Sequence, residues 1–127
     1  MNNIKSYKDL LIWQKGIQIT NDVYALVMSF PNEELYALTS QIKRSTVSIP
    51  SNIAEGFGRN STKSYLHFLK ISRGSLFELE TQLIIAKNQN FIKNDDLFDV
   101  IMNHIFEESK MINSYINKLE KATINYT

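Results

Sequence analysis

His104 has the neighbours best suited to chemistry, because Glu107 and Glu108 follow it one helical turn on. A histidine and two carboxylates at that spacing could hold a metal ion, but a di-iron helical bundle needs Glu-x-x-His on two helices and two further glutamates. That pattern is absent, and so are HExxH, GxGxxG and a phosphate-binding P-loop. The chain also has no cysteine, and hence no thiolate ligand or thiol nucleophile. We therefore predict no enzymatic activity, no catalytic residue, no metal and no cofactor.

A polar line around the segment SIPSNIAEGFGR, residues 48–59, is the second candidate. Steps of three and four place six polar residues on one side of a helix: Gln41, Ser45, Ser48, Asn52, Glu55 and Arg59. Pro50, in the same segment, offers no N–H to the carbonyl of Thr46, which predicts a kink near residues 46–50. Two interpretations are open. The line is either a hydrogen-bonded network that sets helix register, or a place where Asn52, Glu55 and Arg59 bind a ligand.

Positive charge is concentrated in the middle of the chain. The net charge is +1 overall, but residues 41–74 carry six Lys and Arg against Glu55 alone, and all three arginines lie there. The candidate nucleic-acid-binding residues in this block are Arg44, Arg59, Lys63, Lys70 and Arg73. Such cations would contact phosphates and not base edges. The alternatives are a solvated basic helix face, or arginines that pair with acids of neighbouring subunits.

Four helical segments must position these residues. The chain has only 4 Gly and 2 Pro, which favours long helices. Ser6 with Asp9 resembles a capping box at the first start, and Asn32, Ser61 or Thr62, and Asn94 are the caps predicted for the other three. Short connections make successive helices antiparallel. We predict one all-α domain over residues 1–127, an antiparallel up-down-up-down four-helix bundle whose second helix is kinked near Pro50.

Apolar residues at helical spacing predict the core. The rows are Leu10, Trp13, Ile17, Tyr24 and Val27; Leu35, Leu38, Ile42, Ile49, Ile53 and Phe57; Tyr65, Phe68, Leu69, Ser72, Leu76, Leu79, Leu83 and Ala86; and Leu97, Ile101, Ile105, Ile112, Ile116 and Leu119. Two further rows exceed what one core needs: Ile12, Ile19 and Leu26, and Phe98, Met102 and Phe106. Left exposed, they would form an interface, so we predict a homo-oligomer. The alternative is a tightly filled monomer.

The chain shows no sign of membrane insertion or export. The apolar run Leu10–Trp13 is too short for a signal peptide, and no run approaches the roughly 18 residues that span a bilayer. The absence of cysteine suits a reducing compartment. We expect a cytoplasmic protein with no membrane partner.

Three segments in order resemble a known bacterial family: YKDLLIWQKG, QIKRSTVSIPSNIAEGFGR and FLKISRGSLFELETQL. They are similar to the 23S ribosomal RNA intervening-sequence proteins, over residues 7 to about 120. Tyr7, Gly16 and Ser72 depart from residues common in the family. The glycine costs up to about 1 kcal/mol in a helix, so a close helix contact is plausible there.

The resemblance implies a left-handed antiparallel four-helix bundle that assembles as a homopentamer. Some family members are encoded in insertions within 23S ribosomal RNA genes. Related accessory variability determinant proteins of diversity-generating retroelements bind nucleic acid together with a reverse transcriptase. The implied partners are thus other copies of the chain, RNA or DNA, and a reverse transcriptase. The competing function is a protein-interaction scaffold with no nucleic-acid role, which the near-zero net charge favours.

Overall fold

The fold is that of four α-helices, in a computed structural model that describes residues 3–125. The helices are α1 (Leu11–Val27), α2 (Leu38–Phe57), α3 (Thr62–Asn88) and α4 (Asp95–Asn125), with 3-10 turns at Tyr7–Asp9 and Asn32–Glu34. No strand occurs in this range. The all-α four-helix prediction is therefore confirmed. α2 runs through Pro50, and the kink there stays a prediction.

Each helix packs on its neighbours in the chain, and α1 also packs on α4, which closes the arrangement. Side-chain hydrogen bonds join successive helices. Thr20 of α1 meets Thr46 of α2, and Ser45 of α2 meets Gln82 of α3. On the other side of the bundle, Lys87 near the end of α3 meets Asp95 at the start of α4. Short connections favour antiparallel neighbours, and the up-down-up-down order of the helices stays a prediction.

Three of the predicted caps are present. The Asp9 carboxylate accepts from the Ser6 N–H at 3.1 Å and completes a capping box, although this box begins the first 3-10 turn and α1 starts only after Leu10. Ser61 accepts from the Ser64 N–H, and Asn94 from the Leu97 N–H. These side chains satisfy amide groups that a helix start leaves without partners.

The predicted cap at Asn32 is wrong. Asn32 begins a 3-10 turn that follows Pro31, and α2 starts six residues later at Leu38. Leu35 therefore lies outside the helix and is 46% exposed instead of joining the apolar row of α2. The acidic pair Glu33 and Glu34 falls in the turn.

The apolar rows of α2, α3 and α4 do form the core. The most deeply buried side chains in these helices are Ile42, Ile49, Ile53, Leu69, Leu76, Leu79, Leu83, Ile101, Ile105 and Ile112. Burying an aliphatic side chain of this size contributes about 1.5–3 kcal/mol relative to leaving it exposed. The row predicted for α1 is confirmed only in part: Leu10 and Val27 are buried and Trp13 packs against the core, but Tyr24 is 41% exposed. The helix also buries Ile12, Gly16, Ile19, Val23 and Leu26.

The two extra apolar rows do not form the exposed surface from which self-association was predicted. Ile12, Ile19 and Leu26 are buried in the core, and Phe98 and Met102 pack partly buried against it. Of the two extra rows only Phe106 is exposed, at 56%. An interface between copies would therefore need exposed side chains in addition to Phe106.

Candidate functional site

The polar line of α2 is hydrogen-bonded where it faces α3. Asn52 donates through Nδ2 to the backbone carbonyl and to Oγ of Ser48, both at 2.8 Å, and Ser48 Oγ lies 2.8 Å from Ser75 Oγ. Deeper in the seam, Ser45 donates to Gln82 Oε1 at 2.8 Å. Buried polar groups with such partners avoid the roughly 1–3 kcal/mol cost of an unsatisfied group. This part of the line joins α2 to α3.

The carbonyl that Pro50 leaves without its helical partner is met from another helix. Thr20 Oγ1 of α1 lies 3.0 Å from the Thr46 carbonyl oxygen and 2.8 Å from that of Gly16, so its proton can go to either. Thr46 Oγ1, 3.0 Å away, can in turn donate to Thr20. The sequence predicts that the Thr46 carbonyl lacks its helical partner. It does not predict that Thr20, 26 residues earlier in the chain, donates to this carbonyl.

The end of the polar line is open to solvent. Arg59 Nε lies 3.3 Å from Glu55 Oε2, with both side chains about half exposed. The Arg59 guanidinium also stacks over the Phe68 ring, 4.9 Å from its centroid. An i,i+4 pair of this kind contributes about 0.2–0.5 kcal/mol, so it holds the arginine only weakly. The surrounding depression at the α2–α3 turn is polar; its other lining residues are Gly58, Asn60, Ser61 and Ser64.

Three of the five candidate basic residues lie on one side of α3. Lys63, Lys70 and Arg73 are spaced by seven and three residues along α3, which places them on one side of that helix, and Arg59 precedes them at the turn. We call these four residues the α3 basic band. Arg44 is not part of it. Arg44 is exposed on α2, fifteen residues before Arg59 and thus about 22 Å away along the helix axis.

The band runs beside α4, which supplies partners for two of its members. Lys70 forms an ion pair with Glu120 at 3.2 Å, and Arg73 donates to Asn113 Oδ1 at 3.0 Å. Within residues 3–125, no carboxylate lies within ion-pair distance of Lys63. Among the described residues, the band therefore combines two exposed ion pairs, of Arg59 and Lys70, with two cations that form none, Lys63 and the partly buried Arg73.

Of the two glutamates that follow His104, Glu107 lies on the surface and Glu108 lies in the core. Glu107 binds Lys15 of α1 at 2.8 Å, and this contact holds the pKa of Glu107 below its usual range. Glu108 is fully buried, neither carboxylate oxygen has a hydrogen-bond partner within residues 3–125, and burial raises its pKa to about 8. Across the described part of the chain, no three His, Asp or Glu side chains are placed to share a metal ion. The two adjacent glutamates thus point into different environments.

Comparisons with known proteins place this fold among solved structures. A protein of unknown function of the S23 ribosomal protein family from Bacteroides thetaiotaomicron has a similar structure, with a TM-score of 0.76 and 24% sequence identity. The similarity covers 84% of this chain and 96% of that one. At this identity it shows the shared fold alone. A comparison with curated proteins finds no match.

Two further findings bear on the kind of protein this is. No helix between residues 3 and 125 combines the length and the apolar character that a membrane crossing requires. A sequence model described as 23S rRNA-intervening sequence protein matches residues 8–114. The match covers most of the chain and includes the three quoted segments except for Tyr7. The chain therefore belongs to the family of 23S rRNA-intervening sequence proteins.

Proposed function

We propose that this protein is a non-enzymatic bacterial protein of the cytoplasm that binds structured RNA or DNA as a homo-oligomer. The observation that supports the proposal is the α3 basic band, in which Lys63, Lys70 and Arg73 follow one side of α3 over about three helical turns and Arg59 precedes them at the α2–α3 turn. Cations in such a row match the spaced phosphates of a nucleic acid backbone. Repetition around an oligomer would multiply a modest patch into a large positive surface.

The contacts that the band already makes do not prevent this role. The ion pairs of Arg59 with Glu55 and of Lys70 with Glu120 join side chains that are each about half exposed. Exposed pairs contribute about 0–1 kcal/mol. A phosphate oxygen can therefore replace the carboxylate at little cost, and Lys63 needs no exchange at all.

Binding should depend steeply on salt and on the band. We expect the full chain to bind structured RNA in a fluorescence anisotropy titration, with single-stranded RNA and duplex DNA measured alongside at two salt concentrations. Each phosphate contact contributes about 0.9 to the slope of log K against log salt on duplex DNA. Replacing Arg59 and Arg73 together by Ala should reduce the slope by about 2 per protomer and weaken binding to all sequences alike.

The matched control removes the same charge elsewhere. Lys5→Ala with Lys93→Ala takes away two exposed lysines outside the band and should leave most of the affinity intact. Equal losses in the two double variants would mean that net charge, and not the band, governs binding. No binding at low salt by the folded protein would refute the proposal.

The outer face of α3 offers a surface for self-association. Ile71 and Ile85 are exposed there, and Gly74 lies between them with no atom within 4 Å of the position its Cβ would occupy. A glycine inside a helix costs about 1 kcal/mol relative to alanine, and nothing in its own chain requires it. Close approach of another chain supplies a reason. We propose this α3 outer face, formed by Ile71, Gly74 and Ile85 on the side nearer α2, as the contact between copies. Lys70 and Arg73 lie on the side nearer α4, where they contact Glu120 and Asn113.

Light scattering tests the contact. The wild-type chain should have a mass several times that of one polypeptide at micromolar concentration, and Ile71→Ser with Ile85→Ser should lower it. Leu11→Ser with Met28→Ser, on the exposed side of α1, should not. A monomeric mass for the folded wild-type chain would rule out the oligomer.

The same apolar face favours a second candidate function, a protein-interaction scaffold. In that case the band arginines would pair with acids of neighbouring chains. The Arg59→Ala, Arg73→Ala variant separates the two functions. Loss of nucleic-acid binding with an intact oligomer supports the first, and loss of the oligomer supports the scaffold.

A further inference from the structure

The carboxyl group of Glu108 is enclosed where three helices meet. Its side chain has no solvent exposure. A Cβ built on Gly16 of α1 would lie 3.4 Å from Glu108 Oε2 and 3.4 Å from Pro50 Cβ of α2. Glycine on α1 and proline on α2 thus let both helices close over an acidic side chain of α4. Both carboxylate oxygens lack a hydrogen-bond partner among the described residues.

The polar groups nearby are engaged with one another. The hydroxyl of Thr20 lies within hydrogen-bond distance of the Gly16 and Thr46 carbonyls, and the Thr46 hydroxyl lies within reach of Thr20. Pro50 has no N–H to offer. An ionised carboxylate accepts hydrogen bonds, and burying one without donors is far more costly than burying the neutral acid.

Titratable groups lie on the neighbouring helices, but none within residues 3–125 forms a hydrogen bond with the carboxyl group. From α1, the Lys15 ammonium is bound to Glu107 at 2.8 Å on the surface. From α4 itself come His104 and Glu107, one turn before and one residue before Glu108. The α2 atoms at the site belong to Ile49 and Pro50, which do not titrate. On α3, Arg73 donates to Asn113 of α4, and half-buried Glu80, seven residues on, lies on the same side.

We propose that Glu108 is a proton-dependent latch of the bundle: the protonated acid permits α1, α2 and α4 to close, and its ionisation opens the seam between α1 and α4 to water. We place the opening at this seam because Gly16 of α1 lies against Oε2 and Lys15, one residue before Gly16, binds Glu107, one residue before Glu108. Reprotonation restores the closed packing. This property is independent of whether the chain binds nucleic acid.

The direction of the pH dependence follows from the proton count. The pKa of Glu108 rises from 4.5 to about 8 because the side chain is buried. Between these values the folded chain holds a proton that the unfolded chain has released, so stability is highest at low pH and falls as pH rises. The folding equilibrium constant should drop about tenfold per pH unit across this window and level off above it.

Urea unfolding of the full chain at one protein concentration, from pH 5 to pH 9, tests the latch. The wild-type chain should lose about a hundredfold in folding equilibrium constant between pH 5 and pH 7 relative to Glu108→Gln, which has no proton to lose. Glu107→Gln, next to it on the surface, should retain the wild-type pH dependence. Parallel pH profiles of wild type and Glu108→Gln would overturn the proposal.

A second measurement needs no variant. Carbon-13 NMR of the chain labelled at glutamate carboxyl carbons should show one glutamate with a midpoint above pH 7, and hydrogen exchange should show α1 and α4 amides losing protection above that midpoint. A set of glutamates that all titrate near pH 4.5 would overturn the latch. Unchanged protection of α1 and α4 across a high midpoint would overturn the opening.

Discussion

Gly56→Ala should lower the free energy of unfolding by about 1–3 kcal/mol, the usual cost of overpacking a filled interior. The added Cβ would lie 2.9 Å from Phe68 Cβ, 3.0 Å from Tyr65 Cδ1 and 3.3 Å from the Tyr65 backbone oxygen. These atoms include the first side-chain atom and the backbone of α3, so no rotation about a side-chain bond can clear them. Relief requires α3 to move away from α2. Urea unfolding with the midpoint and slope both fitted measures the loss.

Gly74→Ala is the matched control, because it makes the same chemical change in the middle of α3. Nothing lies within 4 Å of its Cβ position, and alanine favours a helix interior over glycine by about 1 kcal/mol. The isolated bundle should therefore become more stable by about that amount. Similar losses in the two variants would contradict the packing difference. A lower oligomer mass in Gly74→Ala alone would support the α3 outer face as a contact between chains.

The sequence predicts the packing of α2, α3 and α4 well because each has one dominant apolar row. Ile42, Ile49 and Ile53 illustrate this on α2, where polar residues fill the flanking positions and leave a single rotation that buries the row. α1 has two apolar rows, and periodicity cannot choose between them. Gly16 determines which side of α1 faces the other helices, because the side that carries this glycine can approach Pro50 and Glu108 closely.

The burial of Glu108 was not predicted, for a related reason. The buried line of α4 is Ile101, Ile105, Ile112 and Ile116, with a step of seven in its middle. Position 108 completes that step, so spacing alone places it in the core. Its residue type argues for the surface, since glutamate is almost never fully buried without a partner. The spacing is the better guide here, because it correctly places Glu108 in the core.

The contacts of the candidate basic residues could not be predicted from the local sequence. Charge counting found the basic block, but the partners of Lys70 and Arg73 are Glu120 and Asn113, 50 and 40 residues further along the chain. Helix spacing alone could have separated Arg44 from the other four residues. The direction in which the band faces required the packing of α3 on α4.

The second large effect should appear at the carbonyl that Pro50 leaves without a partner. Thr20→Val keeps the shape of the side chain but removes the hydroxyl that lies 3.0 Å from the Thr46 oxygen. Thr46 is fully buried, so water does not readily replace the lost bond. We expect a loss of about 1–3 kcal/mol in the free energy of unfolding, the cost of an unsatisfied buried polar group.

A double-mutant cycle identifies the cause of that loss. Pro50→Ala restores an N–H four residues after Thr46, which can donate to the same carbonyl in the usual helical manner. The cost of Thr20→Val should therefore be smaller in the Pro50→Ala background, with a coupling of about 0.5–3 kcal/mol between two residues that share one acceptor. Urea unfolding of the four proteins measures it. Equal costs in both backgrounds would mean that Thr20 acts through the Gly16 carbonyl or through packing, and that the Thr46 carbonyl does not need it.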